Sequence, residues 1–209
     1  MDLHEILKTS YANKDKQKKA LSKHGYKFDS ILSNHNQQIY YNPNDKKILN
    51  LVAGTHNLSD VGTDAYLAVG KLKDTNRYKE ADRILKEAKK KYQPSKTIVA
   101  GQSLGGAIAG YISSGNDEVY TLNKGATIGQ KVRANEHAYR TSGDLISLAN
   151  ANSKHMKTLE NENGGIVDNI KKSVAVGGAT HPFVGVAYGI RNALNAHSTE
   201  SIRNSGIKI

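Results

Sequence analysis

The chain has 209 residues, 37% of them hydrophobic, with no cysteine and no tryptophan, and carries a formal net charge of +11. That length suits one domain with a proper core, and a mean hydropathy of −0.59 describes a polar-surfaced globular protein. The absent cysteines exclude a disulfide framework and any thiolate metal site.

In chain order, residues 1–24 read as a polar helical extension, with short helices over Leu3–Leu7 and over the lysine-rich Lys14–Leu21. Met1-Asp2-Leu3-His4-Glu5 is acidic and polar, unlike a signal peptide. From Gly25 the texture changes. Tyr26-Lys27-Phe28 with Ile31-Leu32 suggests a strand, and Gln38-Ile39-Tyr40-Tyr41 a second. Asn42-Pro43-Asn44-Asp45 is a strong turn signal, and Ile48 to Ala53 is again strand-like, so 38–53 predicts a β-hairpin. Thr75 or Asn76 can cap a long helix whose apolar positions Tyr78, Ala81, Ile84, Leu85, Ala88 and Tyr92 keep helical spacing until Pro94 stops it.

Thr97-Ile98-Val99-Ala100 reads as a buried strand, and Gly101-Gln102-Ser103-Leu104-Gly105 follows it. After the serine, Leu104, Ala107, Ile108, Tyr111 and Ile112 lie on one helix face. A G-x-S-x-G motif between strand and helix is the setting of a nucleophile elbow, where a serine sits on a strained turn at a helix N-terminus. Val119–Leu122 and Ala138–Thr141 are further strands. Alternating strands and helices without an internal repeat or linker predict a single α/β domain over residues 1–209, built on a central sheet. The most apolar stretch, Ser173–Ile190, is broken by glycines, His181 and Pro182, which argues for a buried segment or pocket wall rather than a membrane span. A soluble protein is the expectation.

A serine hydroxyl needs a base to take its proton and an acid to hold that base in the right tautomer. The order Ser, Asp, His selects Ser103, Asp144 and His197. Asp144 follows a strand directly, where open α/β sheets build their sites. Asp117 precedes a strand at the wrong end of the sheet, and Asp168 lies in a polar helical stretch. Among the histidines, His137 breaks the order, His155 lies in a lysine-flanked polar stretch and reads as exposed, and His181 reads as a core residue. His181 stays open beside the preferred His197. For the oxyanion, Leu104 offers a backbone N–H, and Thr55, in the Ala53-Gly54-Thr55 loop after a strand, offers a second donor. No metal or organic cofactor is called for.

The charge is partly local: Lys71–Lys96 holds ten basic against four acidic residues, a net of +6. Nucleic acid and an anionic membrane surface are the partners such a patch admits, and a solvated helix face needs neither. No zinc finger, RNA-recognition motif or KH loop accompanies it, which weakens nucleic acid.

Taken together, the chain resembles the class 3, fungal-type lipases of the α/β-hydrolases. Val52-Ala53-Gly54-Thr55, then Ser59-Asp60-Val61-Gly62-Thr63-Asp64, resembles the family's RGT…DW.TD segment, and Gly101 to Ala107 resembles its GHSLGGA elbow. Val119 to Leu122 with Gly125–Gly129 is similar to VYTFGAPRVG, and Tyr139-Arg140 through Asp144-Leu145-Ile146 to YR…NDPVP. His197-Ser198 with Ile202 matches the terminal histidine segment more loosely. The chain departs from the family at Gln102, where a histidine is usual, at Val61, where tryptophan is usual, and after Asp144, where no proline follows. The resemblance implies an α/β-hydrolase fold with a mostly parallel sheet flanked by helices, and a lipase-like serine esterase acting on a lipid or acyl-ester substrate. Any lid in so short a chain must be small, and the segment around Leu58–Leu72 is the place for one. The alternative is a catalytically silent hydrolase-fold protein binding nucleic acid or an anionic membrane or virion component.

Overall fold

The computed structural model describes residues 14–55, 72–125, 132–142, 144 and 154–159. Ten helices and strands, with one 3-10 turn, make up that part. They are α1 (Lys14–Ser22), β1 (Lys27–Asp29), β2 (Gln37–Asn42), β3 (Lys47–Val52), the turn Leu72–Asp74, α2 (Asn76–Tyr92), β4 (Lys96–Gln102), α3 (Leu104–Ile112), β5 (Glu118–Leu122), β6 (Glu136–Thr141) and β7 (Met156–Leu159). The strands form one seven-stranded sheet in sequence order, antiparallel from β1 to β3 and parallel from β3 to β7. With its flanking helices this is an α/β-hydrolase fold.

The hairpin forms where the turn residues dictate. The Asn42 carboxamide oxygen accepts the N–H groups of Asn44 and Asp45, and Lys46 takes a left-handed conformation, φ 50°. Asn42 then faces Lys47 in register. β1 is shorter than the run Tyr26–Leu32 suggested. The Asp29 carboxylate accepts the N–H groups of Ile31 and Leu32 at 2.9 and 3.1 Å, turning the chain out of the sheet. Ile31, expected in a strand, is 86% exposed.

α2 starts at Thr75, whose hydroxyl oxygen accepts from Tyr78 N–H at 3.2 Å. It stops at Gln93, left-handed with φ 43°, because Pro94 bars an α conformation before it. Stepping across the sheet in one direction with right-handed crossovers puts α2 and α3 on the same face. There Val52 and Val99 bury against Leu85, Ala107, Ile108 and Ile112. On the opposite face Leu49, Leu51, Ile98, Ala100, Tyr120, Leu122 and Tyr139 form a second core that includes Leu21 of α1. The central strands are covered on both sides, which is why they read as continuous apolar runs. No helix among the described residues is long and apolar enough to cross a membrane.

Candidate functional site

The parallel strands end together. Val52 pairs with Gly101, Gln102 with Leu122, and Leu122 with Tyr139, so the loops after β3, β4, β5 and β6 gather along one edge. Ser103 occupies the single residue between β4 and α3, with φ 55° and ψ −127°. A non-glycine residue in that region costs on the order of 1–3 kcal/mol and persists only when its surroundings enforce it. Here they do. Ser103 N–H donates to Leu122 carbonyl at 3.1 Å, and its own carbonyl accepts from Ala107 and Gly125, both at 3.1 Å. The hydroxyl makes no capping hydrogen bond to the helix it precedes.

The motif glycines permit this turn by close approach. A Cβ on Gly101 would collide with the backbone of Gly105, and one on Gly105 would collide with the carbonyls of Val52 and Ala53. The first turn of α3 therefore rests directly on the end of β3. That contact sets the start of α3 against the Ala53–Thr55 loop. Leu104 and Thr55 are both partly buried.

Asp144 lies just past β6, fully buried. Its N–H donates to Thr141 carbonyl at 3.2 Å, and its own carbonyl accepts from Arg140 Nη2 at 3.0 Å. The next strand over, β5, is tied in by Asn123, whose side-chain oxygen accepts both the N–H and the hydroxyl of Thr141, at 2.8 and 3.0 Å. Ser103 and Asp144 thus follow strands separated only by β5, or two strand spacings, about 10 Å. His197 and His181 both lie outside the described residues, as do Asp168 and residues 58–71 of the segment where a lid would fall. Leu72, the last residue of that segment, is buried in the 3-10 turn against the α2–α3 core.

The rejected alternatives have structural employment. Asp117 sits before β5 and holds Lys89 Nζ at 2.6 Å and the Ser114 N–H at 2.6 Å. His137 stacks on Tyr120 with ring centroids 4.7 Å apart, and its Nε2 lies 3.4 Å from Glu118 toward the amino ends of the strands. His155, expected to be exposed, is partly buried in the turn before β7, a strand the sequence did not suggest. β7 forms because Leu159 packs against the β1–β6 core and its residues extend the parallel ladder from β6.

Four charged groups escaped the sequence reading. Lys124, 1% exposed, sits in the loop that supports the elbow and meets both carboxylate oxygens of fully buried Glu136 at 2.8 and 2.9 Å. Burial pushes the Lys124 ammonium down, and Glu136 opposes it. Thr121 hydroxyl also donates to Glu136, at 2.8 Å. Arg133 caps the far end of α3, its two terminal nitrogens donating to the carbonyls of Ser113 and Gly110 at 3.0 and 2.7 Å. Arg77, in the first turn of α2, donates to the carbonyls of Ala53 and Gly54. A lysine two residues after the strand run Val119–Leu122 was the available signal for the first of these; Arg77 and Arg133 are hidden among ordinary helix and loop charges.

Five of the ten basic residues in this stretch have specific acidic partners among the described residues. Lys89 pairs with Asp117, Lys91 with Asp29 and Lys96 with Glu118, while Arg83–Glu87 and Lys86–Asp82 are helical i,i+4 pairs. Among the described residues, no group of three or more His, Asp or Glu side chains converges to hold a metal ion.

A strained serine elbow on a mostly parallel sheet defines an α/β-hydrolase scaffold. Compared with solved structures, the chain is similar to Lip2 lipase from Yarrowia lipolytica at 16% identity and a TM-score of 0.47, covering 69% of this chain and 70% of that one. It is similar to a Rhizomucor miehei lipase propeptide complex at 18% identity and a TM-score of 0.46, covering 69% and 60%. A lipase from Rhizopus microsporus var. chinensis follows at 15% identity and a TM-score of 0.43, covering 69% and 66%. The chain thus spans less than two thirds of the length of the latter two lipases. No protein-family model and no curated protein matches it in sequence.

Proposed function

We infer that the chain is a serine carboxylic-ester hydrolase acting on lipid-like acyl esters. The observation that carries this is the backbone of Ser103: a left-handed serine, held by the β5 carbonyl and the Gly125 N–H, at the strand-to-helix junction. A structural serine at a helix start takes an extended backbone and caps the helix with its hydroxyl. Ser103 does neither, which supports a hydroxyl kept for chemistry.

In this reading Ser103 Oγ attacks the acyl carbonyl carbon as His197 removes its proton. The imidazolium is oriented and stabilised by Asp144, and the oxyanion is held by the Leu104 N–H and Thr55. The spacing of about two strands between Ser103 and Asp144 suits one imidazole bridging them. The proton then passes from His197 to the leaving alkoxide, leaving an acyl-enzyme. Water, deprotonated by His197, releases the carboxylic acid and restores Ser103. The reaction draws on side chains and backbone donors alone.

Ser103→Ala is expected to abolish release of p-nitrophenolate from a short-chain p-nitrophenyl ester without altering the melting temperature. Turnover equal to wild type contradicts the assignment.

A further inference from the structure

We propose that Arg77 is a positioning residue for the oxyanion loop, fixing the direction in which the Thr55 N–H points. The proposal deepens, and rests on, the serine-hydrolase reading above. Arg77 Nη2 donates to two consecutive carbonyls, those of Ala53 and Gly54, the second at 2.9 Å. In a trans peptide the carbonyl of one residue and the N–H of the next point in opposite directions, and the chain contains no cis bond among the described residues. Turning the Gly54 carbonyl onto the guanidinium therefore turns the Thr55 N–H away from it. The Ala53 carbonyl does the same for the Gly54 N–H.

The loop is fixed from two other directions as well. The Ala53 N–H donates to the Asn36 carbonyl at 2.9 Å. Gly105, in the first turn of α3, presses so closely on the Val52 and Ala53 carbonyls that no side chain fits between them. Arg77 itself is carried on α2, whose start is set by the Thr75 cap, so the guanidinium approaches from a rigid element. The Ala53–Gly54 peptides are thus held between the first turns of two helices. Arginine suits this duty because its Nη2, held in a rigid planar guanidinium, meets both carbonyls, whereas a lysine ammonium rides on a flexible stem.

An oxyanion donor acts only if it is aimed before the charge develops, and a misplacement of about 1 Å can cost roughly 100-fold in rate. Arg77→Met is therefore expected to lower kcat on a short-chain p-nitrophenyl ester about 100-fold, with KM within about twofold of wild type. Reaction with a fluorophosphonate, whose phosphoryl oxygen needs the same donors, should slow in parallel. Arg77→Lys, which keeps the charge but replaces the rigid guanidinium with an ammonium on a flexible stem, should fall between the two; it also serves as the readout should the methionine variant not fold. A folded Arg77 variant with kcat within threefold of wild type overturns the proposal. So does a variant whose kcat and KM deteriorate together with its melting temperature, which marks plain structural damage. If wild type itself fails to react with the fluorophosphonate, the serine-hydrolase reading falls and takes the clamp with it. Undiminished labelling of the variants beside reactive wild type removes the clamp alone.

Discussion

Lys124 and Glu136 illustrate what a single buried charge demands. Their side chains are 1% and 0% exposed, and each satisfies the other at hydrogen-bonding distance beside the elbow. Removing both charges from such a pair is often tolerated, but removing one strands the other in a medium of low dielectric. Lys124→Met is expected to lower unfolding free energy by about 3–5 kcal/mol. The double change Lys124→Met with Glu136→Leu should recover much of that loss, as read from urea denaturation midpoints; a double-variant loss equal to the sum of the two single-variant losses would show that the pair is not coupled. At this scale the sequence was informative where chemistry is carried by a motif and silent where it is carried by a distant partner. Ser103, Leu104 and Thr55 announced themselves by their neighbours. Asp144 was legible as a carboxylate after a strand, and it lies just past β6, buried. Arg77 was not legible, because its partners lie 23 and 24 residues earlier and are backbone carbonyls, which have no residue type.

At the scale of elements, the elbow works by contact between backbones. Gly105 lets α3 sit on the carbonyls of Val52 and Ala53, so the helix that follows the serine is packed directly against the loop after β3. Gly105→Ala places a methyl group where backbone already stands, and overpacking of that kind costs roughly 1–3 kcal/mol. Beyond the lowered melting temperature, the variant should lose fluorophosphonate reactivity, since relief of the clash pushes α3 off β3. Full reactivity in a destabilised variant would argue that the contact serves stability alone. The hairpin, α2 and the strand–turn–helix unit were readable because each is bounded by local chemistry: the Asn42 turn, the Thr75 cap, Pro94 and the motif glycines. β7 was not, because Met156-Lys157-Thr158-Leu159 lies beyond β6 with solvent-facing Lys157 and Thr158, and so lacks an apolar run. Ile31 and Leu32 misled for the opposite reason. They are apolar, but the Asp29 carboxylate captures their N–H groups and bends them out of the sheet.

Across the whole molecule, the basic stretch of 71–96 changes meaning once folded. Lys89, Lys91 and Lys96 each reach an acidic group far away in sequence, so these positive charges tie α2 and the start of β4 to the sheet's rim. A count along the chain cannot see such pairs. Burial alone would raise the Asp29 carboxyl, but Lys91, Tyr92 and the N–H groups of Leu32 and Ile31 outweigh it and hold the carboxyl below its ordinary 3.8. A carboxyl depressed in the folded state stabilises it above the unfolded value, and that contribution is lost as pH falls through the folded one. Wild type should therefore lose stability on acidification below about pH 4 more steeply than Asp29→Asn. Parallel acid limbs for the two proteins in thermal melts would show that Asp29 is not among the groups responsible.

The central claim is that the elbow presents an activated serine. It is tested most directly by incubating the folded protein with a fluorophosphonate and mapping the adduct by peptide mass spectrometry. One stoichiometric adduct on Ser103, lost in His197→Ala, is the expected result. An unmodified elbow peptide, or an adduct on another residue, would contradict it.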